Sequence, residues 1–296
     1  MLPLVSAWEA IILGLVQGFT EFLPISSSAQ LRIVGELIGG ADPGALFTAV
    51  TQIGTEVAVL LYYRRKIRDI CVAWWTSLRG DHGADWRSRM GAHDLDARMA
   101  WFIALGSVPI VVLGVLFDDA IETSLRNLWI TVATLVVFGV LLDVADRLGS
   151  RRRLLDDLTP RSAIGYGLAQ ALALIPGVSR AGGTITAGLA MGFTRKAAAD
   201  YSFLLAIPAV LGSGCYQLAK AAGGDPAPGS AGWGATLLAT VVSFALGYVV
   251  LIGFLKIVST YSYRPFVYYR YALAALVVVL LLTGVLDANG STAETV

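Results

Sequence analysis

An all-α, polytopic membrane protein with six transmembrane helices and two re-entrant helical hairpins is the fold class that this 296-residue sequence predicts. Three observations carry the prediction. Hydrophobic residues make up 56% of the chain and charged residues only 15%, against about a quarter charged in soluble domains, and the mean hydropathy is +0.70. Six apolar runs are long enough to cross a bilayer. Two further apolar stretches are interrupted halfway by polar, proline- and glycine-bearing sequence.

The six runs lie at about 46–63, 98–117, 128–148, 201–219, 233–255 and 268–286, each near the ~20 residues that a helix needs to span the hydrocarbon core. The interrupted stretches, about 8–40 and 162–193, are broken by "LPISSS" and "IPGVSRAGG". Each half is only about 15 residues, roughly 22 Å of helix, too short to span. They read as hairpins whose polar tips sit at membrane depth, buried in protein or lining a wet cavity, because irregular backbone is not tolerated against lipid.

Loop charge gives the orientation. Arg64, Arg65, Lys66, Arg68, Arg79, Arg87 and Arg89 fall in 64–97, and Arg151, Arg152, Arg153 and Arg161 in the next loop on that side. Arg195, Lys196, Lys256 and Arg264 continue the alternation, whereas 118–124 is acidic and 223–232 has no Lys or Arg. The basic side is therefore cytoplasmic, with both termini outside. The net charge of +1 carries no information as a total, and no basic stripe with interleaved aromatics points to nucleic acid. Cys71 and Cys215 lack metal-ligand spacing and read as structural, and no cleaved signal segment is expected.

The chain also reads as a single domain of two repeats, about 1–148 and 162–287. Gly14-Leu15-Val16-Gln17 aligns with Gly167-Leu168-Ala169-Gln170, and Pro24-Ile25-Ser26-Ser27 with Pro176-Gly177-Val178-Ser179 after a one-residue gap. Three spans lie between the hairpins, so the second copy is inverted. Inverted repeats with broken helices place a shared site near the midplane, where the two tips are expected to meet.

The first tip offers Gln17 and Glu21 on one helical face, then Pro24 and the hydroxyls Ser26, Ser27 and Ser28. The second offers Gly177, Ser179, Arg180, Gly182 and Thr184, with glycines that allow close backbone approach. A helix opening after each break would present free N–H groups to an anion, and Arg180 adds a bidentate donor for phosphate oxygens. Glu21 could hold a divalent cation or accept a proton from a serine. Together these residues suit a buried phosphate or diphosphate site. Blander roles exist: serines in membrane helices also bond the backbone, and Arg180 could reach an interface. Glu9 and Glu36 read as solvated interface residues, Glu56 is either structural or cavity-lining, and His82 and His93 fall in the basic loop, away from chemistry.

"QGFTEFLPISSSAQL" and "PGVSRAGGT" resemble the two signatures of the undecaprenyl-diphosphate phosphatases linked to bacitracin resistance, and "YSFLLAIPAVLG" is similar to the span after the second. The resemblance runs over nearly the whole chain. It implies hydrolysis of a polyprenyl diphosphate to the monophosphate, recycling a lipid carrier for cell-wall glycan synthesis. It also implies a divalent cation, Mg2+ or Ca2+, and a site in the bacterial cytoplasmic membrane open to the outer face. Carried onto this chain, Glu21 is the essential carboxylate, Ser27 a nucleophile beside Ser26, Arg180 the phosphate clamp, and Gln17 an amide at the first acidic position, where it joins Glu21 as a cation ligand. Ser28, Gln30, Gly177, Ser179, Gly182 and Thr184 complete the substrate contacts, with membrane lipids around the protein and a homodimer left open.

Two departures from the family pattern stand out. Gln30 occupies the usual His position and Ala181 replaces a Ser. An amide cannot shuttle a proton, so Glu21 is the one titratable base left in the first motif, assisting either Ser27 or a metal-activated water. The same departure keeps two other readings open: a carrier that binds or flips a polyprenyl phosphate without hydrolysis, and a phosphatase for a shorter prenyl diphosphate.

Overall fold

The computed structural model describes residues 5–39, 44–81, 83, 85–122, 124–222 and 231–289. His82 and most of the sparse loop 223–232 lie outside them. The helices run α1 (Ala7–Thr20), α2 (Ser27–Gly39), α3 (Gly44–Tyr62), α4 (Arg64–Arg79), α5 (Trp86–Arg89), α6 (Leu95–Leu116), α7 (Asp118–Glu122), α8 (Leu128–Leu148), α9 (Pro160–Ala171), α10 (Arg180–Ala190), α11 (Arg195–Ala222), α12 (Trp233–Val258) and α13 (Arg264–Leu282). Among the described residues no strand occurs beyond an isolated bridge between Arg153 and Phe193.

Six of these helices, α3, α6, α8, α11, α12 and α13, are long and apolar enough to cross a membrane, making this a multi-pass membrane protein. They coincide with the six predicted runs, with one instructive extension. Helix α11 begins at Arg195, ahead of its apolar run, because its charged first turns are paired: Arg195 with Asp146 at 2.6 Å and Lys196 with Asp200 at 2.6 Å. Asp146 also accepts the Tyr263 backbone N–H at 3.0 Å, so one carboxylate ties the ends of α8, α11 and α13 together.

The basic stretch 64–97, read from sequence as a loop, holds the 16-residue α4. That helix follows α3 after the single residue Tyr63 and stops at Gly80, whose φ of 87° is the left-handed end that glycine tolerates. It packs on α6, with Trp74 edge-on to Trp101 at 5.8 Å. Its charges hid it, because a helix with one solvated face has too little apolar length to register as a span.

Both interrupted stretches are pairs of short helices. Helices α1 and α2 have 14 and 13 residues, and α9 and α10 have 12 and 11, so each is roughly 16–21 Å long against a core of about 30 Å. Helix α1 lies against α12, and α9 lies against α6. Small residues permit this closeness: a Cβ on Gly18 would sit 2.7 Å from the Ser243 carbonyl oxygen, and one on Gly167 only 2.4 Å from that of Gly106.

Gly167→Ala therefore forces α9 off α6 and costs about 1–3 kcal/mol, read as a fall of several degrees in the unfolding midpoint of the detergent-solubilised protein. Gly253→Ala, where a Cβ meets nothing within 4 Å, does not lower the midpoint.

Candidate active site

The two breaks end in the same way. Ser26 and Ser179 are left-handed, with φ of 67° and 68°, a conformation that disfavours every residue but glycine and persists only where surroundings enforce it. Each is followed at once by a helix, α2 from Ser27 and α10 from Arg180. Ser179 caps α10 by accepting the Gly182 N–H at 3.1 Å. Matching these serines pairs Ser26 with Ser179, Pro24 with Gly177 and Gln17 with Gln170 at a constant offset. Aligned this way the two stretches need no gap, although Gly177, with φ of 91°, departs in backbone from Pro24.

The tips meet. Glu21, 7% exposed, receives three donors: Arg180 pairs with Oε1, while the Gln17 amide at 2.8 Å and the Ser27 hydroxyl at 2.5 Å donate to Oε2. The Ser179 hydroxyl lies 3.5 Å from the Leu23 carbonyl, a second contact across the tips. A narrow cleft opens beside the ion pair, lined by Glu21, Phe22, Glu56, Val59, Arg180, Ala181, Ser202, Phe203 and Ala206. Its apolar wall is built by core aromatics, Phe22 standing edge-on to Phe203 at 5.5 Å.

The remaining predicted residues play smaller parts. Ser26 and Ser28 hydroxyls lie 3.3 Å apart, and Thr184 donates to the Arg180 carbonyl at 2.7 Å within its own helix. Gly177, with φ of 91°, packs so tightly on α8 that a Cβ would meet the Thr134 hydroxyl at 2.1 Å. Gln30 sits behind the first tip: its amide donates to the Ile25 carbonyl at 3.2 Å, and its oxygen accepts the Tyr269 hydroxyl at 2.7 Å. Glu9 closes a capping box on Ser6, and Glu36 forms a buried pair with Arg32 at 2.8 Å, so Glu36 is not the solvated residue expected. His93 is exposed.

Sequence reasoning missed Arg270. This arginine on α13 has no accessible surface and spans both tips, donating to Pro24 O at 3.0 Å, Val178 O at 3.2 Å, Gly177 O at 2.9 Å, Thr134 O at 3.1 Å and Leu135 O at 3.0 Å. The signal was present as a lone cation in the apolar run "YYRYALAAL", where an ionisable residue is costly and implies a task.

Comparison with known proteins adds to this geometry. A family model described as bacitracin resistance protein BacA matches residues 10–276. The undecaprenyl-diphosphatase of Bifidobacterium adolescentis is 56% identical over 94% of this chain and 96% of its own length. Undecaprenyl-diphosphatase 2 of Agrobacterium fabrum is 57% identical over 95% and 98%, and the undecaprenyl-diphosphatase of Pseudarthrobacter chlorophenolicus is 56% identical over 95% and 99%.

Replacing Arg270 by Lys removes the planar fork that reaches both tips and leaves buried carbonyls unpaired. At about 1–3 kcal/mol for each orphaned group, the variant loses upwards of ~3 kcal/mol, or roughly 6–12 °C of unfolding midpoint. The exposed Arg65→Lys change shifts it by less than a degree or so on the same measurement.

Proposed function

The chain belongs to the bacitracin resistance protein BacA family, and from that premise we infer that it carries out the reaction for which its relatives are named: hydrolysis of undecaprenyl diphosphate to the monophosphate and phosphate. This activity recycles the lipid carrier and confers bacitracin resistance. The observation that carries the site is the convergence of Arg180, Gln17 and Ser27 on the carboxylate of Glu21.

The proposed reaction begins with exchange of partners. The terminal phosphate takes the Arg180 guanidinium, a planar donor suited to phosphate oxygens, and frees Glu21 Oε1. Glu21 Oε2, already accepting the Ser27 hydroxyl at 2.5 Å, then takes the serine proton as Ser27 Oγ bonds to the terminal phosphorus and the bridging P–O bond breaks. Undecaprenyl phosphate departs, and water hydrolyses the phosphoserine to release inorganic phosphate. Gln17 holds Glu21 in place throughout. The helix starts at Ser27 and Arg180 direct their first-turn N–H groups and positive dipole ends toward the phosphate. Gln30 needs no proton to donate in this scheme; it braces the first tip through Ile25 and Tyr269.

A divalent cation, Mg2+ or Ca2+, belongs to this proposal. Among the described residues no three His, Cys, Asp or Glu side chains converge as a metal cage. The donors on hand fit a different kind of site: the Glu21 carboxylate and the unpartnered Gln17 Oε1 are hard oxygens, and Mg2+ is commonly held by one or two carboxylates with phosphate oxygens and water. Bound there, the cation would neutralise charge on the phosphate oxygens. The same reading puts the protein in the bacterial cytoplasmic membrane, basic segments inside, with the site open to the outer face.

Purified protein is expected to release phosphate from undecaprenyl diphosphate with Mg2+ present and to stop on chelation by EDTA. Glu21→Gln and Ser27→Ala lower kcat by about 10²–10⁴, and Arg180→Ala by a similar factor. Wild-type rates from all three would remove the site assignment. Trapping a phosphorylated Ser27 by rapid quench separates serine attack from direct attack by water. Gln30→His leaves kcat within a few-fold, because position 30 faces the back of the tip; a large gain would place its side chain in the chemistry after all.

A further inference from the structure

Glu56 is a buried carboxyl that the reaction above leaves idle. It lies on the spanning helix α3, is 2% exposed, and its Oε1 has no hydrogen-bond partner among the described residues. Burying such a group is costly unless something compensates it. Glu56 is no stray core residue either: it lines the same cleft as Glu21 and Arg180 and lies within electrostatic reach of both. The other polar wall of the cleft does not serve it, since the Ser202 hydroxyl donates to the Ala198 carbonyl at 2.6 Å.

Charge in the cleft makes the omission sharper. Two carboxylates, Glu21 and Glu56, face the single guanidinium of Arg180. A diphosphate entering beside them brings more negative charge than one guanidinium offsets. At the position where the BacA-type motif admits an acid, this chain has the neutral Gln17, whose amide N–H is spent on Glu21. One motif carboxylate is thus missing, and one off-motif carboxylate stands unpartnered in the same cavity.

We propose that Glu56 is the second carboxylate of the divalent cation site, acting with Glu21 on a cation that also contacts the diphosphate. This rests on the cation-dependent reading given above and deepens it by assigning a ligand outside both motifs. Glu56 on α3 and Glu21 at the first tip then hold the cation from two separate elements, while Arg180 on the second tip holds the phosphate. A pair of carboxylates plus phosphate oxygens and water is the donor set that Mg2+ and Mn2+ accept.

The test reads cation binding instead of turnover. Free Mn2+ is counted by electron paramagnetic resonance with detergent-purified protein and a saturating prenyl methylenediphosphonate, which cannot be cleaved at its bridging carbon. Wild type binds one Mn2+, Glu56→Gln weakens it at least tenfold, and Glu56→Asp, which keeps the charge on a shorter arm, falls between the two. The unfolding midpoint in EDTA, equal in wild type and variants, establishes folding, and the aspartate variant supplies the reading if the amide variant is unstable. Wild-type Mn2+ affinity in the folded Glu56→Gln protein, or in Glu56→Asp where that is the readable variant, overturns the role of Glu56 and leaves the cation reading standing. No Mn2+ bound to wild type overturns both.

Discussion

Arg270 is the constraint on which the rest of the structure depends. Two helices are broken inside a membrane protein, and each break exposes carbonyls that water would satisfy elsewhere. A single buried guanidinium takes carbonyls from both breaks, Pro24 on one side and Gly177 and Val178 on the other, and from Thr134 and Leu135 on α8. The cation is costly alone and the broken helices are costly alone. Each removes the other's penalty, and the tips are fixed against one another as a result. The left-handed Ser26 and Ser179 follow from the same clamp, since their strain survives only because the flanking carbonyls are held.

With the tips fixed, the two breaks share a positive-φ serine and a helix start, but the chemistry is divided. At a constant offset the helix starts fall on Ser27 in one tip and Arg180 in the other, and the Glu21 position aligns with Leu174. One tip keeps the carboxylate and the hydroxyl, and the other keeps the guanidinium. Even the supporting glutamines have parted: Gln17 holds Glu21, whereas Gln170, equally buried, has neither amide atom hydrogen-bonded among the described residues. Under the proposed reaction such a site requires both halves, because the carboxylate and the guanidinium come from different tips.

Much of this was legible in the sequence. Apolar length alone identified the six spans, since bilayer thickness imposes it, and polar residues in apolar surroundings marked Glu21, Ser27 and Arg180. What escaped had two physical causes. Helix α4 and the first turns of α11 carry charges that partners or solvent absorb, so hydropathy does not outline them. Arg270 and Gln30 owe their roles to contacts between residues far apart in the chain, with Pro24 and Tyr269 respectively. Spacing along the chain says nothing about such pairs. Gln30, read from its motif position as a substrate contact, bonds the Ile25 carbonyl and the Tyr269 hydroxyl.

The network around Glu21 also orders the events of the proposed reaction. Of its three donors, Gln17 is wholly buried and Ser27 sits in the same tip. Arg180 is different: its side chain is 18% exposed where that of Glu21 is 4%, and it arrives from the opposite tip. It is the one donor that an incoming phosphate can draw away. Until that happens, Glu21 Oε1 is occupied and the cleft holds no free cationic group. After it happens, the carboxylate presents one oxygen to Ser27 and one to the cleft that Glu56 also faces. In the proposed reaction the pairing of Glu21 with Arg180 is therefore the contact that an incoming diphosphate exchanges for its own.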